Sequence, residues 1–157
     1  MPDWISHILI ALIVVQLFNL KPKSLVVLGA ILPDFFFKLS ILGAFISIPV
    51  SEVYWGLLPM HIPLGTFLFT LIIAPLFKFN YTKTILLITI GVATHYASDA
   101  LFKNFIINPQ AMLLFPLSWK PFGFNLLWSN EYYLVLMIVI LTYLAIKLFK
   151  IRLTKAI

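Results

Sequence analysis

In the run VATHYASDALF, residues 92–102, a histidine and an aspartate stand four apart in an otherwise apolar stretch. A helix puts His95 and Asp99 on one face, so an imidazole nitrogen and a carboxylate oxygen can address one ligand. Three further ionisable side chains sit inside or at the rim of apolar runs: His7, Asp34 and His61. An aspartate at mid-bilayer costs about 2.5–3.5 kcal/mol on insertion scales, so two of them beside three imidazoles call for partners. Imidazole nitrogen and carboxylate oxygen are the ligands that zinc and similar divalent ions take, and an ion would neutralise the aspartates. His7, Asp34, His61, His95 and Asp99 are therefore the candidate metal ligands. They suffice for one ion with an open position or for two ions sharing a carboxylate. An open position could hold a water acidified toward neutrality, a nucleophile for hydrolysis. Asp34 and His61 are the candidates for a direct catalytic part, Asp34 as ligand or as general base.

Each residue also has a plainer reading. A single histidine in a membrane helix commonly serves as an interhelical hydrogen-bond partner. His7 could sit among headgroups, Asp34 could cap a helix after Pro33, and Asp99 could pair with Lys103 four residues on. What sets the five apart is that the chain's predicted topology carries all of them to one layer.

That topology follows from composition. The chain of 157 residues is 62% hydrophobic and 10% charged, with a mean hydropathy of +1.08. Soluble domains run at about 45–50% apolar and about 25% charged. These values predict an all-α polytopic membrane protein, a single membrane-embedded helical domain over residues 1–157. Spans need about 20 mainly apolar residues, and the runs number five: Trp4 to Leu20; Ser24 to Lys38, or brokenly on to Ile48; Tyr54 to Phe77, bent by Pro59, Pro63 and Pro75; Thr84 to Phe102; and Glu131 to Phe149. Of the Lys and Arg residues, eight fall on one side (Lys21, Lys23, Lys78, Lys83, Lys147, Lys150, Arg152, Lys155) and three on the other (Lys38, Lys103, Lys120). The positive-inside rule then predicts a multi-pass protein of the cell membrane, N-terminus outside and C-terminus inside. The tryptophans Trp4, Trp55, Trp119 and Trp128 fall near the outer interface, the depth that amphipathic rings favour. Residues 103–130 are apolar and rich in proline, an expected interfacial loop or lid over the outer leaflet.

The net charge of +6 is accounted for by orientation, with no basic face for nucleic acid. No cysteine is present, which removes thiolate chemistry. The N-terminus shows neither a basic n-region nor a small-residue cleavage site, so a removable signal peptide is not expected. There is no His-Glu-x-x-His, no Gly-x-Ser-x-Gly and no phosphate-cradling glycine loop.

In order, the chain carries SHILIAL, LGAILPDFFF, MHIPLG, THYASD and LLFPLSW. This succession resembles the membrane-bound metal-dependent hydrolases, a family that includes small LexA-regulated inner-membrane proteins. The likeness covers about residues 4–120. It matches His7 to an early histidine, Gly29, Pro33 and Asp34 to a Gly-x-x-x-Pro-Asp segment, and His61 to a third motif. His95 and Asp99 match a His-x-x-x-Asp pair, and Pro116 and Trp119 fall in a later loop. The order of ligands is also similar to that of zinc-dependent phospholipase C proteins. The third motif departs from the family pattern: only His61 stands where two histidines and an arginine are usual, so one ligand is lost or replaced by water. The resemblance implies hydrolysis of a lipid or lipid-linked phosphoester at a divalent metal, zinc first among candidates. Two other expectations stand beside it: a small transporter or proton conductor using the same His/Asp cluster, and a non-catalytic membrane protein that keeps the cluster for helix packing.

Overall fold

The computed structural model describes residues 4–43, 58–103, 112–118, 120, 122–128 and 131–155. These residues form five α-helices and no strands: α1 Trp4–Phe18, α2 Lys23–Gly43, α3 Pro63–Ile73, α4 Tyr81–Asp99 and α5 Tyr132–Lys155. The all-α expectation holds. Among the described residues, one stretch, Tyr132–Arg152 of α5, is long and apolar enough to cross a membrane by itself, and 11% of it is buried. Helix α1 and the run Pro63–Leu76 are apolar but shorter.

Helix boundaries follow local chemistry. Asn80 caps α4, its side-chain oxygen accepting from the Lys83 backbone N–H at 3.1 Å. Pro63 opens α3, where its missing N–H costs nothing. The third apolar run is thus not one bent helix from Tyr54. A 3₁₀ turn, Leu58–His61, precedes α3, and a second, Ala74–Leu76, follows it. Pro63 and Pro75 punctuate the run instead of kinking it, while Tyr54 and Trp55 lie outside the described residues. Pro33, by contrast, is passed through inside α2.

Helix α2 lies against α4 most extensively, α1 packs on α2 and α5, and α3 packs on α4. The α2–α4 crossing is set by two glycines. A Cβ on Gly29 would lie 2.0 Å from the carbonyl oxygen of Ile88, and one on Gly91 would lie 2.0 Å from that of Val26. No side chain fits at either position, so the two backbones are in direct contact. Around the crossing Ala11, Val15, Leu25, Val26, Ala30, Ile88 and Val92 make an apolar core. A smaller cluster, Phe102, Val135 and Val139, joins the end of α4 to α5.

The segment after α4 is stitched to that helix. Backbone N–H groups of Phe124 and Leu126 donate to the carbonyls of Ala100 and Leu101 at 2.6 and 2.9 Å, and the Lys103 N–H donates to Leu127 at 2.7 Å. Within 103–130, Trp119 lies outside the described residues.

Candidate metal centre

The glycine crossing sits one turn below a buried polar cluster. His95 is four residues beyond Gly91 on α4, and Asp34 is five beyond Gly29 on α2. His7 comes from the first turns of α1 and His61 from the 3₁₀ turn before α3. The fold therefore brings all five candidate residues together. His7, Asp34, His61 and His95 are buried, and the Asp99 side chain keeps 11% exposure. Asp34 lies within α2 and not at its start, which removes the helix-cap reading. Lys103 does not take Asp99 as its partner; its ammonium stands 3.6 Å over the Trp128 ring.

The ligand-type atoms converge. The Nε2 atoms of His61 and His95 are 3.4 Å apart. His95 Nε2 is 3.3 Å from Asp99 Oδ2, and His61 Nε2 is 3.4 Å from Asp34 Oδ1 and 3.9 Å from Asp99 Oδ2. His7 Nε2 is 3.6 Å from Asp99 Oδ1, and its ring stacks on that of His95 with centroids 4.0 Å apart. Charge-assisted N–H···O bonds are about 2.7–2.9 Å long, shorter than every one of these contacts. Among the described residues, none of the carboxylate oxygens of Asp34 and Asp99, nor His7 Nε2, takes a hydrogen bond. Buried polar atoms are ordinarily satisfied. The spacing has another match: ligands about 2.0–2.1 Å from a tetrahedral ion lie about 3.3–3.4 Å from one another.

Two of the imidazoles are held in the tautomer that ligation needs. His95 Nδ1 lies 2.8 Å from the carbonyl oxygen of Ala30. A carbonyl only accepts, so Nδ1 carries the proton and the neutral ring keeps its lone pair on Nε2. Ser98 Oγ donates to the carbonyl of His95 at 2.8 Å and lies 2.9 Å from His7 Nδ1. With its proton so committed, Ser98 accepts from His7 Nδ1–H, and the lone pair of His7 again falls on Nε2. Such outer partners orient metal-binding histidines generally. Pro33 has no N–H for the carbonyl of Gly29, one residue before the Ala30 carbonyl that meets His95.

Further contacts frame the cluster. Tyr96 and Thr66 share a buried hydroxyl hydrogen bond of 2.8 Å, and the Tyr96 ring stands edge-on to His61 and His95. Lys38 reaches the rim, its ammonium 3.5 Å from Asp34 Oδ2 and 4.2 Å over the Trp4 ring. The sequence did not single out Ser98, Ala30 or Lys38 as partners of the cluster. The i, i+3 and i, i+4 spacings of Ser98 to His95 and of Lys38 to Asp34 were the available signals.

Two groups meet the spacing of a metal site, His7–His95–Asp99 and Asp34–His61–His95, with all ligand atoms in each within 4.8 Å of one another. They share His95. The fold and the site together define an all-helical protein with a buried His/Asp cluster able to hold a metal ion. No protein-family model, curated protein or solved structure matches the chain.

Proposed function

We propose that the protein is a membrane-embedded metal-dependent hydrolase acting on a lipid or lipid-linked phosphoester. The observation that carries the reading is the convergence of imidazole nitrogens and carboxylate oxygens at metal-edge spacing, with the oxygens of Asp34 and Asp99 taking no hydrogen bond among the described residues. One imidazole nitrogen binds one ion, so the shared His95 favours a single ion in the more buried group, Asp34–His61–His95. Zinc suits that donor set. Asp34, His61 and His95 would hold the ion, which would supply an acidified water and polarisation of a phosphoryl oxygen. The chain supplies the remainder. Asp99, the least buried of the five side chains though its oxygens are covered, would take the proton of the attacking water, and His7, oriented by Ser98, would stabilise the protonated carboxyl. Lys38 at the rim meets the anionic oxygens of the substrate. The likeness in motif order to membrane-bound metal-dependent hydrolases supports the same chemistry.

Membrane placement is supported by polar side chains buried beside the apolar core and large apolar side chains left exposed. Polar His7, Asp34, His61, Thr66, Thr70 and His95 lie inside, while Ile72 is 71% exposed, Ile138 62% and Leu141 64%. Helix α5 crosses the bilayer alone, and the shorter helices complete a five-span bundle, N-terminus outside, with α3 and its flanking 3₁₀ turns making one crossing. The outer leaflet then presents the substrate to a cluster near that face. The apolar core beneath the cluster, Val15, Leu25, Val26 and Ile88, favours hydrolysis over conduction across the membrane.

The test is phosphate or phospho-headgroup release by zinc-loaded protein in vesicles containing phospholipids and lipid-linked diphosphates. Metal-dependent release, abolished in Asp34→Ala, is expected. Proton or cation flux that depends on the same residues, with no release from any lipid, would replace the hydrolase with a transporter.

A further inference from the structure

At the opposite end of the bundle, the ends of α1 and α5 and the start of α2 enclose a cavity of about 450 Å³. Its walls include Gln16, Asn19, Lys23, Tyr143, Lys147 and Lys150. Three lysines therefore line one space. Lys150 is engaged with the backbone carbonyl of Gln16 in the last turn of α1. Lys23 and Lys147 have no carboxylate at this end among the described residues: Asp34 and Asp99 belong to the cluster, and Glu131 precedes α5, bonding the Trp128 N–H. The side-chain oxygen of Gln16 is buried without a hydrogen-bond partner among the described residues. A second cavity, about 490 Å³ and lined by Leu17, Ala145, Ile146 and Phe149, meets the first at Lys150.

Positive-inside placement explains why lysines occur on this side, but not why three of them line one cavity with an orphan acceptor and an apolar groove adjoining. We propose that this junction binds an anionic phospholipid. Its phosphate lies between Lys23 and Lys147, a headgroup hydroxyl donates to Gln16, and an acyl chain runs in the groove of Leu17, Ile146 and Phe149. Basic recesses between membrane helices on the positive side are suited to such headgroups, and the volume lies in the range of small-molecule sites, about 300–1,000 Å³. The inference rests on the membrane placement above and not on the metal. It makes the lipid a structural clamp that joins α5 to α1 and α2 at the end remote from the His/Asp cluster.

The experiment is thermal unfolding of the detergent-purified full chain titrated with phosphatidylglycerol, with phosphatidylcholine, or with inorganic phosphate. Phosphatidylglycerol alone should raise the Tm saturably. Lys23→Gln/Lys147→Gln should weaken that response by about tenfold or more, given about 1 kcal/mol per lysine near anionic lipid, with the lipid-free Tm unchanged. Lys78→Gln/Lys83→Gln, on the same predicted side but outside the cavity, should leave it intact. Equal stabilisation by phosphatidylcholine or by inorganic phosphate would overturn the proposal. So would an equal loss in the Lys78/Lys83 variant, which would mean diffuse charge attraction. The wild-type selectivity decides the matter even if the cavity variant fails to fold.

Discussion

At the residue scale, the centre depends on protons as much as on ligands. His95 and His7 present Nε2 because Ala30 and Ser98 occupy their Nδ1 atoms. Ser98→Ala should therefore weaken zinc affinity about 10- to 100-fold, the usual cost of losing an outer partner, although Ser98 is not a ligand. Competition against a zinc chelator measures this. Lys38→Gln should raise KM for an anionic substrate with bound zinc unchanged, because the ammonium stands at the rim; a loss of zinc instead would make Lys38 a structural partner of Asp34. The five ionisable residues were legible in the sequence because charge is expensive in an apolar run and stands out there. Ser98 and Ala30 were not. Serine is common in helices, and the Ala30 contact is a backbone carbonyl, which has no side-chain signature.

At the element scale, the α2–α4 crossing aligns Asp34 with His95. Gly29 and Gly91 permit a backbone approach that any Cβ would block. Gly91→Ala should cost about 3 kcal/mol or more, at the upper end of overpacking penalties, since backbone and not a flexible side chain is in the way. It should also lower zinc occupancy by moving His95 away from Ala30. Thermal unfolding in detergent, followed by metal analysis of the folded fraction, reads both. Helical content and the extents of α1 and α4 were visible as apolar runs to within a few residues, as was the start of α5, which runs on past Phe149 to Lys155. The third run was not, because His61 sits in a 3₁₀ turn and Pro63 starts the helix. A proline at a first helical position and one at a kink look alike until the partner helices are placed. The stitching of Phe124 and Leu126 to the end of α4 was equally hidden, since it is carried by backbone groups.

At the scale of the whole molecule, the proposed membrane placement rests on the buried His/Asp cluster together with exposed apolar side chains such as Ile72, Ile138 and Leu141. Leu141 is 64% exposed on α5, so Leu141→Arg should disfavour insertion by about 2.5–3.5 kcal/mol, seen as a soluble or degraded fraction after alkaline extraction. Because the chain has no cysteine, single cysteines report orientation. Cysteine at position 120 should react with an impermeant thiol reagent from outside the cell, and cysteine at position 155 only after permeabilisation; the reverse pattern would invert the topology. The expectations at this scale come from composition, since hydropathy and lysine placement are sums over the chain; among the described residues the fold adds one stretch, Tyr132–Arg152, long and apolar enough to cross a membrane.

The most direct measurement is zinc K-edge X-ray absorption on the purified, zinc-loaded protein, with metal stoichiometry determined on the same sample. The account predicts about one zinc per chain, a shell of nitrogen and oxygen at about 2.0–2.1 Å with the outer scattering of imidazole, and loss of both in His95→Ala. Zinc far below stoichiometry, or a spectrum unchanged by His95→Ala, would contradict it.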